Sequence, residues 1–142
     1  MLSPFSKYNS TDGKTRLEAI DDAASESWGS AWHIPTRDEW QWLYDNTVKA
    51  MDTTMVAGIQ VVSIVLTSTV PGYENHSIVL PYGQVKGLSS PIVYGYWSSV
   101  LPDNSYDYAR IASFTDADFL LKNIISRIYG CPVRPVATNL EN

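Results

Sequence analysis

The chain carries a single cysteine, Cys131, so no disulfide can form within it, and one thiol does not fix a redox compartment. It carries only two histidines, His33 and His76. They lie far apart, and neither has Cys, Asp or Glu at metal-ligand spacing, so both read as surface or hydrogen-bonded side chains. Basic residues are outnumbered 10 to 15, which leaves a net charge of -5. Without a basic patch, no nucleic-acid partner is expected. No apolar run reaches the length that crosses a bilayer, so no direct membrane insertion is expected. The GxSxG, HExxH and phosphate-cradling glycine motifs are missing, as are internal repeats and low-complexity linkers. These absences argue for a domain with no catalytic residue, no metal and no cofactor.

What is present is apolar and aromatic. Hydrophobic residues make up 44% of the 142, enough for one domain over 1–142 to bury a core without disulfides. Five Trp and nine Tyr suit both cores and recognition surfaces. Core packing is the reading for Trp28, Trp40 and Trp97, while Trp32 and Trp42 are open to stacking on a ligand. The opening residues, MLSPFSKYNSTDG, are polar and lack the apolar stretch of a signal peptide, which fits a cytoplasmic protein or a module of a longer chain.

Two helices come first. Thr15 and Glu18 stand at capping-box spacing, with Leu17, Ile20, Ala24 and Trp28 on one face and Gly29 as the stop. Asp21 and Asp22 then complement the helix dipole at its surface. Thr36 and Glu39 repeat the device, followed by Trp40, Leu43, Tyr44 and Thr47. After Gly58 the pattern turns β-rich: IQVVSIVLTSTV, SIVLP, IVYGYWSSV, YDYARIASF and the Pro-interrupted YGCPVRPVA. Helices followed by short, antiparallel strands make an α+β fold. Within it, Asp116 and Asp118 flank a hairpin tip, as a solvated turn or a cation site. Cys131 reads as a buried small hydrophobe, not a nucleophile.

The phrases LEAIDDAASESWGSAWHIPTRDEW, SIVLPYGQ, YGYWSSV and GCPVRPV occur here in that order. Together they resemble the major paralogous domain first named from Fibrobacter succinogenes and abundant in surface proteins of Bacteroides and relatives. The resemblance runs from about Tyr8 to Val136. It implies a C-type lectin-like fold, with two short helices packed on a twisted, mostly antiparallel sheet with long loops. It also implies a cell-surface or extracellular location, at the outer membrane or on a pilus, as a module of a longer protein. His33 stands where the family often has Arg, and the stretch from Ala50 to Thr69 matches loosely. The Glu-Pro-Asn and Trp-Asn-Asp motifs of calcium-dependent sugar binding are missing, so the fold by itself implies neither calcium nor sugar. The formylglycine-generating enzyme shares this fold but needs a cysteine pair, whereas Cys131 is single.

Residues 98–130 stand apart in composition. They contain no Glu, Gln, Met or Trp and one Lys, Lys122, whereas residues 1–97 hold nineteen residues of those five types. At that rate roughly six are expected in the segment. The missing types are those that an AAC codon cannot become when its adenines are randomised. That resembles the variable region of diversity-generating retroelements, which diversify the end of a C-type-lectin-fold variable protein. Two readings of the apolar run TDADFLLKNIISRIYG follow: a sampled binding surface or an ordinary buried hairpin.

The expectation is a non-enzymatic adhesin or receptor-type domain with its binding face between Val100 and Arg127. Its candidate ligand-binding residues are Leu101, Asp103, Asn104, Tyr106, Tyr108, Arg110, Asp116, Asp118, Leu120, Leu121, Asn123 and Ile125. Tyr and Arg anchor, Asn and Asp hydrogen-bond, and Leu and Ile supply apolar area. The partner is a host or bacterial surface protein or glycan, or another pilus or surface-protein domain. The alternatives are an enzyme on the same fold, using Cys131 or the Asp116/Asp118 pair, and a structural assembly module.

Overall fold

The structure, a computed structural model, describes residues 5–115 and 118–138. Its first helix starts later than the Thr15 spacing predicts. A 3-10 turn occupies Ala19–Asp21, and α1 runs only over Ala23–Trp28. The segment before it is committed elsewhere. Leu17 N–H donates to the Ser99 carbonyl at 2.9 Å, and Leu101 N–H donates to the Thr15 carbonyl at 2.7 Å. A chain pairing with residues 99–101 cannot also coil at Thr15, so the first predicted capping box does not form.

The cap is Asp22, which is 3% exposed. One carboxylate oxygen accepts from the N–H groups of Ala24 and Ser25, at 2.9 and 3.2 Å. The other accepts from Ile34 N–H at 2.9 Å. Asp22 is therefore an interior strut joining the helix start to the next strand, not a surface dipole partner. Of the predicted apolar face, Ala24 is buried and Leu17 half-buried, but Ile20 and Trp28 are 70% and 60% exposed. Trp28 is thus not a core residue; it meets Trp32 edge-on, ring centroids 5.2 Å apart.

The second helix follows the sequence closely. α2 spans Arg37–Asp45 behind a complete capping box: Thr36 accepts from Glu39 N–H at 3.2 Å, and the Glu39 carboxylate accepts from Thr36 N–H at 2.8 Å. It buries Trp40, half-buries Leu43 and Tyr44, and leaves Trp42 exposed.

The strands are β1 (Trp32–His33), β2 (Thr47–Val56), β3 (Ile59–Ser68), β4 (Ser77–Pro81), β5 (Gly95–Trp97), β6 (Tyr108–Thr115), β7 (Asp118–Leu120), β8 (Ile124–Ser126) and β9 (Val136–Ala137). Every pairing is antiparallel: β1 with β9, β2–β3–β4 in order, β5–β6–β7, and β8 on β6. The architecture is therefore α+β, two helices with mostly antiparallel sheets. β2 was not legible in the sequence. It pairs over its whole length with β3 through Ala57 and Gly58, whose positive φ values of 48° and 77° suit a type I′ turn. β4 covers β3 only from Ser63 to Thr67, so the far end of this ribbon stands in solvent. Among the described residues no helix is long and apolar enough to cross a membrane.

β6 is the centre of the fold. β5 pairs along one edge, while β7 and β8 follow each other along the other. Gly95 is required where β5 meets it, because a Cβ there would lie 2.5 Å from the Ala112 carbonyl oxygen. Two buried clusters flank the strand. The first joins Trp40, Ile64, Leu66, Leu80, Tyr96, Ala112, Phe114, Phe119 and Leu121. The second joins Val85, Ile111 and Ile125, with Trp97, Tyr129 and Cys131 packed against it. Much of the apolar run is thus core hairpin: Phe119 is fully buried against Trp40 and Tyr44, at ring-centroid distances of 6.0 and 5.1 Å.

Asp22→Ala leaves three N–H groups without their acceptor in a buried setting. The expected loss is about 3 kcal/mol of unfolding free energy, measured by urea titration. A loss below about 0.5 kcal/mol contradicts the strut assignment.

Candidate ligand-binding face

The register of β6 and β8 decides which residues of the segment face solvent. Tyr108 lies opposite Ser126, Ala109 opposite Ile125, and Arg110 opposite Ile124. Directly opposed residues share a sheet face, and neighbours along a strand alternate. Tyr108, Arg110, Ile124 and Ser126 therefore form one face, and Ala109 and Ile125 form the other. Burial follows this division: Tyr108 and Ile124 are 43% and 41% exposed, whereas Ile125 is 8% exposed. Further along β6, Ala112 and Phe114 on the Tyr108 side enter the first core, which ends the exposed patch.

Leu121 and Ile125 are corrected by this geometry. They are 9% and 8% exposed and belong to the first and second clusters respectively, so they fill the interior and not a ligand surface. Ile124 was missed, although alternation from a buried Ile125 would have placed it outside. Ile128, also left out of the candidates, is 70% exposed.

The remaining candidates divide by role. The Asp103 carboxylate, nearly fully exposed, lies 4.0 Å from the guanidinium of Arg110, whose side chain is only 19% exposed; an ion pair this long and this open adds little stability. Asn104 is exposed at a turn with φ 61°, a conformation that Asn tolerates. Tyr106 is half-buried, and its carbonyl accepts from Arg127 at 2.7 Å. Leu101 is half-buried beside residues 15–17. Asp118 works within the frame: it accepts from Phe119 N–H at 2.8 Å and from the Tyr44 hydroxyl at 3.4 Å. Its charge raises the Tyr44 pKa. Leu120 is half-buried on β7, and Asn123 donates its side-chain amide to the Ser113 hydroxyl. Asp116 lies outside the described residues, and with it half of the predicted Asp pair.

The face is held from behind by Arg127. Its guanidinium donates to the carbonyls of Tyr8, Tyr106 and Lys7 at 2.8, 2.7 and 3.1 Å, and stacks 4.0 Å from the Phe5 ring centroid. Desolvation in this nest lowers the arginine's pKa. Tyr8 is buried; its hydroxyl donates to Asp21 at 2.8 Å and accepts from Glu18 N–H at 2.9 Å. The Lys7 ammonium, 2.6 Å from Asp21, and this Tyr8 bond hold the Asp21 carboxyl below its usual range.

Other candidates for chemistry are engaged structurally. His33 meets Glu39 through Nε2 at 2.8 Å and the Thr138 hydroxyl through Nδ1 at 3.0 Å. His76 packs on Tyr73, ring centroids 5.5 Å apart. Trp32 and Trp42 line an open groove of about 950 Å³ with His33, Glu39 and Arg134. Among the described residues, no three His, Cys, Asp or Glu side chains gather where a metal ion could be held. The Cys131 thiol donates to the Gly95 carbonyl at 3.2 Å, and burial pushes its pKa up to about 12.

At pH 8 the Cys131 thiolate is therefore scarce, and alkylation by iodoacetamide should run on the order of a thousandfold slower in the native protein than in denaturant. The rate should rise about tenfold for each pH unit above 8 and level off only near pH 12. Cys131 is half-buried, not fully buried as expected; native labelling as fast as unfolded labelling contradicts its raised pKa.

Comparison with protein-family models, with curated proteins and with solved structures finds no match to this chain.

Proposed function

We propose that this chain is a non-enzymatic recognition domain with a C-type lectin-like fold, a module of a bacterial surface protein. In this proposal it is related to the major paralogous domain that its sequence resembles. The observation that carries the reading is the division of residues 98–130. Tyr108, Arg110, Ile124 and Ser126 form a mixed face, exposed at Tyr108 and Ile124, on strands whose other side chains fill two cores. Side chains on such a face can change without removing core contacts, which is what a diversified binding surface needs. The skewed composition of residues 98–130 supports adenine-directed diversification of the exposed positions, with the buried ones fixed. Tyr108 and Arg110 are the anchors, Ile124 and Ile128 add apolar area, and Asp103 and Asn104 supply polar contacts at the rim. The partner is a surface protein or a glycan. Cys131, with its raised pKa, is poorly suited to act as a nucleophile.

A second reading, an assembly module, is favoured by the β2–β3 ribbon. Met51, Met55, Val56 and Ile59 are exposed there, and β2 is an edge strand.

The test uses the fluorescently labelled domain on intact bacterial cells and on a glycan array. Joint Tyr108→Ala and Ile124→Ala substitution should lower binding at least about tenfold and shift Tm by less than about 3 °C. Phe119→Ala, by contrast, should cost about 4 kcal/mol of stability. A large fall in Tm from the face pair makes those residues core and overturns the reading. Binding lost on Met55→Ser and Ile59→Ser, but kept in the face variant, replaces it with the assembly module.

A further inference from the structure

We propose that the open groove bordered by α2, by residues 134–138 and by the segment leading into α1 binds a saccharide chain that carries carboxylates. Its sugar rings stack on Trp32 and Trp42, and Arg16 and Arg134 take the carboxylates. This site does not depend on the recognition reading, which concerns the Tyr108 face.

The groove measures about 950 Å³. A cavity of about 150 Å³ holds one benzene ring, so this one has room for several ring-sized units in a row. Trp32 and Trp42 are the two tryptophans that the sequence leaves open to stacking, and the fold brings both to this groove. Trp42 is 59% exposed, so its indole is not spent on the core. Trp32 is held in place. Its N–H donates to the Gly29 carbonyl at 3.0 Å, its carbonyl accepts from the Ser25 hydroxyl at 2.7 Å, and its ring meets Trp28 edge-on. An indole face is rich in negative charge density and attracts the C–H groups on the apolar side of a sugar ring.

The charges on the lining select an acidic sugar. Asp22 and Glu39 border the groove, but both carboxylates are engaged: Asp22 by three backbone N–H groups, and Glu39 by His33 and by Thr36 N–H. The arginines are left over. Among the described residues no acid pairs with Arg16 or Arg134, and Arg134 makes one long bond, 3.4 Å to the Val79 carbonyl. A guanidinium without an acid is matched by a carboxylate, which it can hold through two parallel hydrogen bonds. An acidic peptide fits less well. The edge of β1 away from β9 is sealed by Ser25 and Asp22, and β9 is two residues long, so a peptide finds no strand edge to extend.

The test is a titration of the ¹⁵N-labelled full chain, followed by two-dimensional NMR of the indole N–H groups. The probes are trigalacturonate, its full methyl ester, sialyllactose and the peptide Glu-Glu-Glu. Trigalacturonate should saturably shift the indole signals of Trp32 and Trp42, with a Kd on the order of 1 mM or tighter. The uncharged ester should bind about tenfold more weakly. Trp42→Ala should weaken binding of the acid at least about tenfold. Joint Arg16→Gln and Arg134→Gln substitution should erase the preference for acid over ester. Trp42 and Arg16 are exposed; if the double variant fails to fold, Trp42→Ala and Arg16→Gln, which alone should shrink the preference, still decide. Sialyllactose bound as tightly as trigalacturonate identifies carboxylated sugars in general as the ligand, and trigalacturonate binding alone identifies a uronic-acid chain. No saturable shift of the two indoles, an ester bound as tightly as the acid, a preference unchanged in the arginine variants, or Glu-Glu-Glu bound more tightly than either sugar overturns the proposal.

Discussion

The middle of β6, from Ile111 to Phe114, is buried on both faces; β5 pairs with Ile111–Ser113 along one edge and β8 and β7 follow the other, so the remaining elements are arranged around it. Ala112 and Phe114 point into one cluster, and Ile111 points into the other. Each fully buried large apolar side chain contributes about 1.5–3 kcal/mol, so a strand with a core on each side is the most heavily anchored part of the chain. α2 delivers Trp40 to the first cluster, and the Trp40 indole donates to the Trp97 carbonyl at 3.3 Å, which ties helix and sheet at the point where β5 joins β6. Tyr96 adds a hydroxyl bond to the Pro81 carbonyl at 2.7 Å, linking the end of β4 to the same centre.

That anchoring explains how framework and surface can share one short segment. Among the described residues between Ser98 and Gly130, runs of buried residues such as Ile111–Phe114 lie beside exposed ones such as Asp103, Asn104 and Tyr108, because the segment is strand, turn and strand. The Arg127 nest adds a second constraint. By gathering carbonyls from residues 7, 8 and 106, it fixes the loop that leads into Tyr108 against the N-terminal segment. A face held from behind in this way has little conformational freedom left to lose, as the proposed recognition role requires.

The parts of the fold legible in the sequence are those governed by local chemistry. The Thr36 and Glu39 box announced α2, and SIVLP matches β4 residue for residue. The Thr15 box failed because residues 15–17 pair with 99–101, a contact across more than eighty positions that no local pattern records. Asp22 looked like a surface charge because the acceptor role toward Ile34 depends on how the chain returns after Gly29. β2 was invisible because its projecting end is exposed on both faces, so no alternation of burial imprints it. In the candidate face, the type of element was readable and the parity was not. Alternation says that Ile124 and Ile125 point in opposite directions, but only the pairing with β6 says which one is inside.

The central claim is that a fixed double core carries a replaceable face. The most direct measurement is to sequence this gene across many isolates and place each amino-acid difference on the fold. Differences within 98–130 should gather at Asp103, Asn104, Tyr106, Tyr108, Arg110, Ile124 and Ile128. Ile111, Ala112, Phe114, Phe119, Leu121 and Ile125 should stay constant. Differences as frequent at Phe114 and Phe119 as at Tyr108, or a segment as invariant as α2, would contradict it.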